Sequence, residues 1–87
     1  LKQIEQKCQG NVCLYEIEIT NTSNNPTAAY VNLIGFTKVG YGKNASERQV
    51  VSKRTVHELQ GMESKRVTGE IHAEVSLIRL LITAGES

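Results

Sequence analysis

The chain has 87 residues, 39% of them hydrophobic, with no Trp, one Phe, three Tyr and a formal net charge of +1 at pH 7. That length makes a single domain, residues 1–87, with a small core; the near-zero charge argues against strong nucleic-acid binding, and no apolar run approaches the ~20 residues of a membrane-spanning helix. The first residue is Leu1 rather than Met, which reads as a processed or excised chain.

Ile4 marks a short first strand ahead of Cys8 and Cys13, the only cysteines, which flank the stretch QGNV. Four intervening residues do not fit a thioredoxin-type redox centre, which has two at the start of a helix. Zinc would need two further ligands, and only His57 and His72 are at hand, on the polar sides of two separate strands. A disulfide across a tight turn fits best, with Gly10 and Asn11 able to take positive backbone angles; two free, buried thiols are the alternative. A bonded pair implies an oxidising compartment such as a periplasm.

Tyr15, Ile17 and Ile19 then alternate with Glu16, Glu18 and Thr20, a half-buried strand closed by the turn formers of NTSNNPT. A longer β-rich run covers Ala28 to Val39, and GYGKNASE after it reads as a flexible surface loop. QVVSKRTVHEL, rich in Val and Thr, is another strand, and LQGMES a turn around Gly61. The plainest alternation runs from Arg66 to Val75, with Val67, Gly69, Ile71, Ala73 and Val75 on one face. The last run, LIRLLIT, places Ile78, Leu80 and Ile82 on one side. Six or seven short strands and no clear helix predict an all-β, two-sheet antiparallel sandwich.

Charge is unevenly placed. Residues 38–66 hold seven basic side chains (Lys38, Lys43, Arg48, Lys53, Arg54, Lys65 and Arg66) against Glu47, Glu58 and Glu63, a local +4 that leaves −3 for the remainder. Such asymmetry marks either an interaction surface or a solvated strand face whose lysines oppose aggregation. No GxSxG elbow, HExxH pair or Gly-rich phosphate loop is present, so no enzyme, metal or other cofactor is expected. Phe36, Tyr15, Tyr30 and Tyr41 are too dispersed for the stacking platform of single-stranded nucleic acid. The sequons at Asn21 (NTS) and Asn44 (NAS) read as polar loop chemistry.

Taken in order, QGNVCLYEIEIT, AAYVNLIGFTKVGYGKNASERQ and SLIRLLITAGES resemble the curli-subunit chaperones of the bacterial periplasm, over Gln9 to Ser87. Those are small immunoglobulin-like β-sandwiches that stop the secreted curli subunit from forming amyloid before export. Where enterobacterial members carry a Cys-x-Cys pair this chain has Ala28, Ala29 and Tyr30, so a thiol role built on that pair is absent. The resemblance implies a periplasmic, monomeric domain without a catalytic centre, whose partner is an aggregation-prone secreted subunit of the curli type. Lys38, Lys43, Arg48, Lys53 and Arg54 are then the client-binding residues, holding early client species transiently and keeping strand edges from stacking into cross-β. The alternatives are an immunoglobulin-like adaptor or accessory subunit of a secretion or pilus system, docking a partner by β-augmentation, and a periplasmic thiol oxidoreductase using Cys8 and Cys13.

Overall fold

The computed structural model describes residues 1–86; Ser87 lies outside the described residues. Six strands form: β1 (Lys2–Gln9), β2 (Val12–Thr20), β3 (Thr27–Val39), β4 (Ser46–Leu59), β5 (Ser64–His72) and β6 (Arg79–Glu86), with one 3-10 turn at Gly42–Asn44. They build two antiparallel three-stranded sheets, β1-β2-β5 and β4-β3-β6. The first sheet thus follows the A-B-E order of an immunoglobulin-type sandwich, and the second C′-C-F.

β1 and β2 join through Gly10 and Asn11, which the flanking pair Gln9 and Val12 closes into a two-residue hairpin. Gly10 has φ +61°, and Asn11 is not among the positive-φ residues; a positive angle at the first central position alone is the type II′ pattern, which carries the right-handed twist from strand to strand. One pair further along, Cys8 faces Cys13 directly and the two form a disulfide, Cα to Cα 4.0 Å.

The core lies between the central strands. Cys13, Tyr15, Ile17 and Ile19 of β2 face Ala29, Val31 and Leu33 of β3, closed by Leu59, Ile71, Leu77 and Leu80. Ile17, Val31 and Leu33 are fully buried, each stabilising the fold by about 1.5–3 kcal/mol. Below that core the β2–β3 loop is organised by Asn21. Its Nδ2 donates to the Asn25 carbonyl (2.7 Å) and the Gln60 carbonyl (3.0 Å), and its Oδ1 accepts from Ser23 N–H (3.0 Å).

Three expectations change. β5 ends at His72, because Ala73 N–H bonds the Asn11 carbonyl and Leu77 N–H the Gly10 carbonyl; these turn the chain away, and Val75 is exposed. Leu77, not Ile78, joins Leu80 and Ile82 on the inner side: Ile78 precedes β6, donates its N–H to the Phe36 carbonyl and is exposed. His57, expected on a polar side, pairs with Ala29 on the core-facing side of β4, where its Nε2 meets the Thr55 hydroxyl at 2.9 Å.

With only three strands per sheet, four of six are edges. β1 lies over β6 and β5 over β4. β1 carries a register irregularity at Ile4 with Lys2, Glu5 and Lys7 around it. β4 has its own at Val50, and Arg48 and Lys53 point to the core-facing side, opposite Thr37 and Leu33. β5 turns Lys65 inward opposite Ile19, and its Nζ reaches the Glu58 carbonyl at 3.1 Å. Bulges and inward charges are the usual means by which an edge avoids pairing.

Candidate binding surface

In an antiparallel sheet, directly paired residues project to the same side, so the register sorts the basic side chains. Lys38 (opposite Glu47) and Arg54 (opposite Asn32) stand on the outer face of β4-β3-β6. Arg48 and Lys53 stand on the other side, at the rim where β4 meets β5. Lys43 sits in the 3-10 turn at the tip of the β3–β4 hairpin. The five do not form one patch. The structure gathers Lys38 and Arg54 on one face and separates them from Arg48, Lys53 and Lys43.

What surrounds Arg54 is more informative than its charge. The same outer face carries Tyr30, Ile34 and Phe36 from β3, with Val56 opposite Tyr30, Leu81 opposite Ile34 and Arg79 opposite Phe36. Val56 is 62% exposed and Leu81 43%. Arg54 lies 4.5 Å over the Tyr30 ring and Arg79 4.2 Å over Phe36. Each guanidinium is oriented by a further partner: Arg54 Nε donates to Asn32 Oδ1 at 2.8 Å, and Arg79 Nε to the Glu47 carboxylate. An exposed cation–π contact contributes roughly 0.5–1 kcal/mol, enough to hold flat arginines across aromatic rings on a rigid sheet. The tyrosine is itself seated by its neighbour: a Cβ at Gly85 would lie 2.6 Å from the Tyr30 hydroxyl, so only glycine lets the ring lie across β6.

The sequence signal for this face was present in β3. Its solvent-side positions read Tyr30, Asn32, Ile34 and Phe36, so one strand is apolar on both faces, which a strand with one wet side has no reason to be. Electrostatically the face is close to balanced, with Lys38, Arg54 and Arg79 against Glu47 and Glu58. At the hairpin tip Tyr41 is 91% exposed, on a turn held by Asn44 N–H to the Tyr41 carbonyl (3.1 Å).

Other chemistry does not assemble. Among the described residues no three His, Cys, Asp or Glu side chains gather as metal ligands, and no helix is long and apolar enough to cross a membrane. Both cysteines are in the disulfide. Cys13 is fully buried and Cys8 half-buried. Asn21, the first sequon residue, is 3% exposed with its amide fully engaged, whereas Asn44 is exposed in the hairpin turn. No protein-family model, curated protein or solved structure matches the chain.

Proposed function

We propose that this is a binding module of the curli-chaperone type, which holds an extended, aggregation-prone secreted subunit and delays its fibrillation in an oxidising extracytoplasmic compartment. The observation that carries the reading is the outer face of β4-β3-β6: a flat, rigid surface where Tyr30, Ile34, Phe36, Val56 and Leu81 lie between stacked arginines. Apolar and aromatic groups supply contact area, and arginine planes accept both aromatic and amide groups of a client. Near-neutral charge gives little electrostatic steering toward one tightly bound pose, in keeping with brief, repeated contacts. The Cys8–Cys13 disulfide supports the compartment.

The test is fibrillation of a purified curli-type subunit followed by an amyloid dye. Wild type is expected to lengthen the lag phase. The variant Arg54→Glu/Val56→Glu, altered on the outer face alone, is expected to need about tenfold more protein for the same delay, a loss of ~1.4 kcal/mol of client binding. The rim variant Arg48→Glu/Lys53→Glu should act almost as wild type. Arg54→Glu also gives up the contact with Tyr30 and the bond to Asn32, a stability loss of about 1 kcal/mol, and urea unfolding of each variant separates that loss from inhibition. Equal loss in both variants would return the site to the basic segment as a whole, and no delay by wild type would remove the chaperone reading.

A further inference from the structure

One edge lacks the defences of the other three. From Leu80 to Gly85, β6 reads LLITAG, with no charge and no proline, and its pairing to β3 is free of register shifts. Its core-facing side chains open progressively: Leu80 is 4% exposed, Ile82 half-buried and Ala84 exposed. Behind Ala84 lies a partly open recess of about 160 Å³, walled on its apolar side by Leu1, Ile19, Ala29 and Leu59 and on its polar side by Thr20, Asn21 and Thr27, room for a small side chain such as valine or threonine.

The backbone tells the same story. Leu80 donates its N–H to Gln6 Oε1 (2.8 Å), and its carbonyl accepts from Gln6 Nε2 (2.9 Å). One carboxamide thus supplies both bonds that a neighbouring strand's peptide groups would supply. Since Leu80 directs its polar groups away from β3, the alternation of an antiparallel strand directs those of Ile82 and Ala84 the same way. Among the described residues β6 has no strand beside it on that side, and an unpaired row of this kind is a template for strand addition.

We propose that the Ile82–Ala84 edge of β6 captures an extended, uncharged segment of a partner polypeptide as a seventh strand, with a small apolar side chain of that segment entering the opening behind Ala84. This rests on the reading that the protein holds aggregation-prone extended clients, and names the part of the client it takes. Charge bears on the occupant: the other edges present inward lysine or arginine or a bulge set among charges, whereas between Arg79 and Glu86 this edge carries none, so nothing there would offset the desolvation of a charged segment and an uncharged one docks at least cost. Size excludes a second copy held by this edge alone. Six residues of strand span about 20 Å, too little to bury the ~1,200 Å² or more of a stable dimer, whereas a flexible segment can dock through backbone bonds and one pocket.

The probe is a synthetic, end-blocked octapeptide of alternating valine and threonine, titrated into the protein while amide exchange is followed by NMR. Slowed exchange at the Ile82 and Ala84 amides is expected, with Ala84→Lys weakening binding about tenfold or more because an inward lysine on the edge both fills the recess and opposes strand addition. Thr83→Lys, on the outer face of the same strand, should bind as wild type, which controls for added charge. Unchanged exchange at Ile82 and Ala84 with peptide in excess overturns the proposal, as does equal binding by Ala84→Lys. Protection that appears without peptide and grows with protein concentration, together with a dimer in sedimentation, overturns it in favour of a second copy. Peptide capture is read without any fibrillation assay, so wild type that delays fibrillation without protecting this edge sinks only this inference, and the reverse result sinks only the chaperone reading.

Discussion

Asn21 shows what one buried amide does. It bonds two carbonyls from different loops and one N–H, tying the end of β2 to the β2–β3 loop and to the turn after β4. Removing it leaves those groups without a partner in a water-poor site, at about 1–3 kcal/mol for an unsatisfied group. Asn21→Ala is therefore expected to lower the urea-unfolding free energy by about 2 kcal/mol, and Asn21→Asp to be no rescue, since a carboxylate facing two carbonyls has nothing to donate. A smaller loss in Asn21→Asp than in Asn21→Ala would contradict this account. Neither Asn21 nor Gln6 was legible in the sequence. Each is one polar residue in a polar stretch, and its role depends on elements far along the chain, Gln60 in one case and Leu80 in the other.

Among the elements, β2 was the most legible, because its wet and dry faces differ residue by residue. The run at residues 77–82 was harder. Its inner positions are Leu77, Leu80 and Ile82, which depart from strict alternation because the strand begins only at Arg79. The basic residues of β4 were harder still: Arg48 and Lys53, an odd number of positions apart, share a face because Val50 is an extra residue in the pairing. One residue of slip exchanges the two sides of a strand, and nothing local in SERQVVSK announces it. The β1–β2 hairpin carries a prediction at this scale. Its disulfide spans five positions, and closing so short a loop contributes about 2 kcal/mol in the chain-entropy account. Intact mass before and after alkylation should show no free thiol in the native protein, and Cys8→Ala/Cys13→Ala should stay folded with a stability lower by about that amount. Retention of full stability in the double variant would mean the hairpin is held by its type II′ turn and ladder alone.

For the molecule as a whole, stability comes from a core in which, among the described residues, Tyr15 is the one buried aromatic. Burial of that phenol raises its pKa above the ordinary 10.0, because the phenolate would lose its hydration. The folded protein then keeps a proton that the unfolded chain gives up. The contribution is constant below pH 10 and declines as pH rises from there toward the raised value. Urea unfolding across that alkaline window is expected to show stability falling with pH, and Tyr15→Phe to remove that part of the slope; an identical slope in the variant would refute it.

The molecule measures 49 × 19 × 19 Å, stretched by the β3–β4 hairpin, whose strands have 13 and 14 residues. Leu1 and Gly85 line the same opening, beside the start of β3, while Tyr41 lies just past the other end of that strand. Anything bound at Leu1 or Gly85 therefore sits at one pole. The hairpin tip is carried outward at the opposite pole, free to be presented like the head of a post.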